Sequence, residues 1–169
     1  MKKGRSMRAD VTPPRHGGND TLVLDDYLPY RLSVASNGVS SLIARAYQDR
    51  FGLTIPQWRL MAVLAEGALT PQALVARTAM DKVTVSRAAH GLVARNIVQR
   101  TASDTDGRSH TLALTDTGRR LHAEIAPLAL AYEAALLTGL APAEVSTMKR
   151  LLQRLETAAA RLSGEAPAR

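Results

Sequence analysis

Lys82, Thr84, Ser86, Arg87 and His90 fall within one short stretch, and Asp106, Gly107 and Arg108 follow it further along the chain. Ammonium, guanidinium, hydroxyl and imidazole groups supply positive charge and hydrogen-bond donors. That set suits recognition of an anionic, hydrogen-bonding surface. A reactive constellation does not assemble around it. The four histidines, His16, His90, His110 and His122, lack metal-ligand spacing, and there is neither a nucleophile elbow nor a phosphate-binding glycine loop. Ser109 and His110 are neighbours on an expected strand, so their side chains point to opposite faces. The sequence predicts no catalysis, no metal and no cofactor.

The elements that carry these residues can be read from caps and periodicity. Apolar residues Leu28, Leu32, Ala35, Val39, Leu42, Ile43 and Ala46 recur at three- and four-residue spacing, which predicts an amphipathic helix from Asp25 to about Phe51, closed by Gly52. Thr54 and Gln57 form a capping-box pattern that opens a helix through Ala65, and Thr70-Pro71 opens a short one to about Thr78. Asp81 caps a third helix, with its carboxylate beside free N–H groups and the positive dipole end. On that helix Val85, Ala88, Ala89 and Leu92 share one face, while Val83, Thr84, Ser86, Arg87 and His90 project from the other. Asn96 is the expected left-handed stop. Residues 97–101 and 110–114 then make a hairpin with Asp106-Gly107 at its turn. Thr115 caps a helix to about Thr138, and a last helix follows Pro142.

Three helices joined by short turns and followed by a hairpin are a winged helix-turn-helix. The predicted fold class is mainly α with a small β-wing, in which the third helix enters the major groove of DNA and Arg108 reaches the minor groove. The last helix carries a stripe of Val145, Met148, Leu151, Leu152, Leu155, Ala158, Ala159 and Leu162. Together with the first helix, this is more apolar face than a small winged domain covers. A C2 homodimer is expected.

Composition agrees. The chain has 169 residues, 46% hydrophobic, a formal net charge of +7 and no cysteine. Absence of cysteine excludes disulfides, thiolate metal sites and cysteine redox sensing, and fits a reducing cytoplasm, where the chain is expected to stay. No apolar run reaches the ~18–20 residues of a membrane span. The positive charge concentrates in residues 1–24 and 70–115, each with a net of +3. Basic surface in those two places suits a polyanionic partner.

The segments T-P-Q-A-L at 70–74, M-D-K-V-T-V-S-R at 80–87, L-V-A-R-N-I-V-Q-R at 92–100 and D-x-D-G-R-S-H-T-L-A-L-T-x-x-G at 104–118, in that order and spacing, resemble the MarR family of bacterial transcription regulators. The resemblance spans residues 25–162. It implies dimerisation helices at 25–53 and 116–162 and a winged helix-turn-helix at 54–115, between a basic tail at 1–24 and a short tail at 163–169. It places Lys82, Val83, Thr84, Ser86 and Arg87 where the family's recognition helix meets DNA, and Arg108 on the wing arginine. Asp106 stands on the wing acid that would hold that arginine. His90 projects from the same helix face. Asn96 stands where many relatives have Gly.

Residues 24–37 and 51–59 further resemble family members that control breakdown of aromatic or hydroxycinnamic acids, some of them answering to CoA thioesters. Tyr27, Tyr30, Tyr47, Phe51 and Trp58 cluster in that part of the chain. Tyr30, Ser33, Asn37, Trp58 and Arg59 are therefore the expected effector-pocket residues, with Arg59 able to meet a carboxylate or phosphate. The expected partners are a pseudo-palindromic double-stranded DNA operator, a second copy of the chain and a small aromatic acid or its CoA thioester, with no membrane. The expected function is a DNA-binding transcriptional repressor released by that effector. The alternative is an architectural DNA-binding dimer that senses nothing.

Overall fold

The computed structural model describes residues 22–102 and 110–163. Residues 1–21 of the basic tail, the hairpin tip with Asp106 and Arg108, and the last six residues lie outside the described residues. Six helices and a two-stranded sheet follow in the order α1 (Leu28–Phe51), α2 (Ile55–Leu64), α3 (Pro71–Thr78), α4 (Lys82–Ala94), β1 (Val98–Ala102), β2 (His110–Leu114), α5 (Asp116–Leu136) and α6 (Pro142–Ser163). None of these helices is long and apolar enough to cross a membrane.

Local chemistry sets most boundaries. The Thr54 hydroxyl accepts from the Gln57 amide at 3.4 Å while Gln57 Oε1 accepts from the Thr54 amide at 3.0 Å, completing the capping box of α2. Thr70 caps α3 through the Ala73 amide at 3.2 Å. Asn96 adopts φ 54° after α4, the left-handed turn that Asn tolerates better than other non-glycine residues.

The first helix begins later than its periodicity suggests, at Leu28 and not at Asp25. A start at Asp25 would put Pro29 at the fifth helical position, where it lacks the N–H for the ladder and its ring meets the preceding turn. Residues 23–27 form hydrogen-bonded turns instead, and Pro29 occupies the first turn of α1.

The core sits where α2, α3, α4 and the wing meet. Leu60, Met61 and Leu64 from α2, Leu74 from α3, Val85, Ala89 and Leu92 from α4, and Leu112 and Leu114 from β2 are buried together. β1 and β2 pair antiparallel with Val98 opposite Leu114 and Ala102 opposite His110. Leu69, before α3, bonds to the other edge of β2 through two hydrogen bonds with Leu112, of 3.0 and 2.8 Å. The wing is thereby tied to the helix-turn-helix on both sides.

The joint between wing and α5 is built on Thr115. Its hydroxyl donates to the Asn96 carbonyl at 2.7 Å and accepts from the Gly118 amide at 3.0 Å, and its own amide donates to the Ile97 carbonyl at 3.0 Å. A Cβ at Gly118 would lie on the Ile97 carbonyl oxygen. This close approach explains the T-x-x-G spacing.

The outer helices are different. Among the described side chains of α1 none before Tyr47 is buried, and α6, 22 residues long, buries none of its side chains. Met148, Leu151, Leu152, Leu155 and Leu162 are 40 to 59% exposed. Between the start of α1 and α6 runs an apolar groove of about 830 Å³, walled by Leu28, Leu32, Met148, Leu151 and Leu155.

Gly118→Ala tests the joint. Helix propensity alone favours Ala by about 1 kcal/mol, whereas forcing a methyl onto backbone costs about 1–3 kcal/mol or more. The clash should win, and a lower urea midpoint at unchanged slope is the expected result.

Candidate nucleic-acid interface

The face of α4 that the sequence assigns to DNA is turned outward. Val85, Ala88, Ala89 and Leu92 are all buried, and Lys82, Val83, Ser86, Arg87 and His90 are exposed, with Thr84 half-buried. The alanine pair removes bulk from the inner face, so α4 lies close on its neighbours. At Gly91 the approach to α2 is tighter still, since a Cβ there would stand 2.6 Å from Gln57 Nε2.

Asp81 organises the exposed first turn. One carboxylate oxygen accepts from the amides of Val83 at 2.8 Å and Thr84 at 2.9 Å, and the other accepts from the Thr84 hydroxyl at 2.6 Å. The Thr84 hydroxyl proton is thus committed to the cap. Toward an outside group Thr84 offers lone pairs and its methyl. The same bonds, with the Thr84 hydroxyl first, hold the Asp81 carboxyl below its usual value.

The basic charge of residues 70–115 divides between two uses. Arg77 pairs with Glu66 at 2.5 Å, and Arg95 donates to the Gly52 and Phe51 carbonyls at 2.8 and 2.9 Å, so both serve the fold. Lys82, Arg87 and Arg100 are exposed and make no ion pair among the described residues. Sequence patterning could not separate the two groups, because the partners of Arg77 and Arg95 lie 11 and 43 residues away.

The effector-pocket residues do not gather in one place within the chain. Trp58, on α2, is half-buried, its ring 4.8 Å from Tyr47 near the end of α1 and stacked on His122 at 5.8 Å. Arg59 is exposed. Tyr30, Ser33 and Asn37 are exposed on the first half of α1, roughly 25 to 15 Å along the helix from Tyr47 at ~1.5 Å per residue. The aromatic site that does form is Tyr47, Trp58 and His122. His122 comes from α5, and nothing local in the sequence links it to Trp58. The Tyr47 hydroxyl is buried with no hydrogen-bond partner among the described residues, and burial pushes the phenol up from its usual value. Among the described residues no group of three or more His, Asp or Glu side chains could hold a metal ion.

An inward alanine face, an outward polar face capped by Asp81, and a flanking two-stranded wing define a winged helix-turn-helix protein. A family model described as MarR family matches residues 51–109. A MarR family transcriptional regulator from Silicibacter pomeroyi is 31% identical, with a TM-score of 0.72 over 80% of this chain and 91% of that one. The structure of Bordetella bronchiseptica BpsR, described in terms of regulation of its DNA binding by 6-hydroxynicotinic acid, is 26% identical with a TM-score of 0.73, covering 80% and 96%. A MarR/EmrR family regulator from an Acinetobacter species shares the fold, with a TM-score of 0.78 at 23% identity over 83% and 99% of the two chains. No curated protein matches the sequence. The chain belongs to the MarR family of transcriptional regulators.

The cap gives a pH prediction. The Asp81 pKa is lower folded than unfolded, so its stabilisation is complete above the ordinary value of 3.8 and is lost as pH falls through the lower folded value. Asp116, lowered chiefly by its bond to Arg119, acts in the same sense. The difference in melting temperature between wild type and Asp81→Ala should be steady above about pH 5 and shrink on further acidification, as neutral Asp81 loses its advantage. A constant difference down to the acid limit would show that the charged cap is not what holds α4.

Proposed function

We propose that the protein is a dimeric, sequence-specific DNA-binding repressor that releases its operator on binding a small aromatic acid or its CoA thioester. The observation that carries the DNA half is the segregation of α4, which buries Val85, Ala88, Ala89 and Leu92 while Lys82, Val83, Ser86, Arg87 and His90 face out beside the wing. In this reading Lys82, Val83, Thr84, Ser86, Arg87 and His90 meet the major groove, and Arg108, posed by Asp106, meets the minor groove. Residues 54–115 are the reading unit. Residues 25–53 and 116–162 join two copies, because a 22-residue helix with no buried side chain gains too little from its own chain to hold its place. Two copies related by a two-fold axis read a pseudo-palindromic site.

The sensing half rests on the Tyr47–Trp58–His122 stack and on BpsR, whose DNA binding is regulated by a heteroaromatic acid. An aromatic ring fits against Trp58, a carboxylate against Arg59, and an acceptor atom against the Tyr47 hydroxyl. Tyr30, Ser33 and Asn37 join that site from the second copy, since their own chain holds them far along α1.

In vitro selection from random duplexes tests the DNA reading. Wild type should enrich an inverted repeat with half-sites about one helical turn apart. Arg87→Ala should lose about 1–3 kcal/mol of discrimination at one base position per half-site, and Arg108→Ala should weaken binding evenly and reduce the salt slope. Enrichment of no motif would overturn the reading.

Trp58, the only tryptophan, reports on the effector. Titration with 6-hydroxynicotinic acid, other aromatic carboxylates and p-coumaroyl-CoA should give a saturable fluorescence change with at least one compound. The same compound should lower affinity for the selected duplex, and Arg59→Ala should blunt that response while sparing DNA binding. A panel that moves neither signal leaves the non-sensing dimer as the better account.

A further inference from the structure

Two helix C-termini meet at Arg95. α1 ends at Phe51 with Gly52 in the left-handed conformation, and α4 ends at Ala94 with Arg95 as its C-cap. Each C-terminus carries about half a negative charge and unpaired carbonyls, so bringing two together is unfavourable without a cation between them. Arg95 supplies it. Nη1 donates to the Gly52 carbonyl at 2.8 Å and Nη2 to the Phe51 carbonyl at 2.9 Å. A fork that uses both arms on consecutive carbonyls fixes direction as well as distance, which a lysine cannot do.

Among the described residues these are the only side-chain hydrogen bonds between α1 and α4. The Gly52 and Leu53 amides bond back to Gln48 and Tyr47, so the clamped carbonyls belong to the same tight turn as Tyr47. At the other side of Arg95, the Ile97 amide bonds to the Leu92 carbonyl and the Asn96 carbonyl accepts from Thr115. The residue thus sits where α1, the DNA-facing helix and the wing converge.

We propose that Arg95 is a positioning residue for DNA binding, which locks the pose of α4 to the last turn of α1 so that the two move as one body. The inference rests on α4 being the DNA-reading helix. It makes Arg95 a basic residue of the reading unit that acts on carbonyls and not on phosphates.

Because the chain has no cysteine, the Ser41→Cys, Ser86→Cys double variant places one spin label on α1 and one on α4. Pulsed electron spin measurements on this protein, diluted with unlabelled chains, should give a narrow distance distribution. Adding Arg95→Ala should broaden or shift it, and Arg95→Lys should give an intermediate result. In unlabelled protein, Arg95→Ala should bind the selected duplex at least tenfold more weakly at a temperature where circular dichroism shows it folded, with the wild-type salt slope. A salt slope reduced by about one would make Arg95 a phosphate contact and overturn the proposal. An unchanged distance distribution with wild-type affinity would also overturn it. If Arg95→Ala does not fold, Arg95→Lys decides the question, since loss of the fork alone should still cost affinity and widen the distribution. If wild type selects no DNA, the DNA reading fails, and the distances alone decide whether the clamp exists.

Discussion

A helix can bury one face, and the face that α4 buries dictates everything else about the proposed reading unit. Val85, Ala88, Ala89 and Leu92 occupy the inner side. Once those four are inside, Lys82, Ser86, Arg87 and His90 have no direction left but outward. Burying a side chain of Leu or Val size contributes about 1.5–3 kcal/mol, whereas rotating α4 to hide Arg87 would desolvate a charge at a cost of several kcal/mol. The outward display of the polar set is therefore enforced by the core. The surrounding devices serve the same end, with Asp81 pinning the start of α4, Gly91 letting it approach α2, and Thr115 with Gly118 fixing the strand that follows.

The outer helices answer to a different constraint. Leu28 and Leu32 of α1 and Leu151, Leu152 and Leu155 of α6 are exposed along a common groove, while the second half of α1 sinks Tyr47 into the core. One helix thus has one end that its own chain does not cover and another that its own chain grips tightly. The proposed dimer supplies what the first end lacks, and the Arg95 fork describes how the second end is gripped.

What could be read from the sequence was whatever its own neighbours determine. Caps at Thr54, Thr70, Asp81 and Thr115, the left-handed Asn96 and the inner face of α4 all depend on residues within a few positions, and all stand where the spacing puts them. The start of α1 was displaced because apolar periodicity runs on past Pro29, which the backbone cannot follow. The aromatic site was only half legible. Five aromatics crowd residues 27–58 in the sequence, but a helix spreads them, so Tyr30 and Trp58 part while His122 arrives from α5. Charge counting erred in the same way, since it could not see that Arg77 answers Glu66 and Arg95 answers two carbonyls.

The buried Tyr47 hydroxyl brings these strands together. An unsatisfied buried hydroxyl costs about 1–3 kcal/mol, a sizeable fraction of the stability of a small domain. Such a cost persists where the surrounding packing outweighs it, and an acceptor atom from outside would relieve it. A ligand shifts a conformational equilibrium only by the difference in its affinity for the two states. In the proposed sensor that difference arises naturally at Tyr47, because the phenol belongs to the turn of α1 that Arg95 holds. In that sensor a carboxylate or hydroxyl that drew Tyr47 into a new hydrogen bond would pull on the turn that carries the Phe51 and Gly52 carbonyls. The fork then has two choices, to follow and tilt α4, or to break and release two helix C-termini that repel. In the proposed sensor either outcome would change the spacing of the two copies of α4, and so would link the aromatic stack to the side chains proposed to face DNA through one guanidinium and one helical turn.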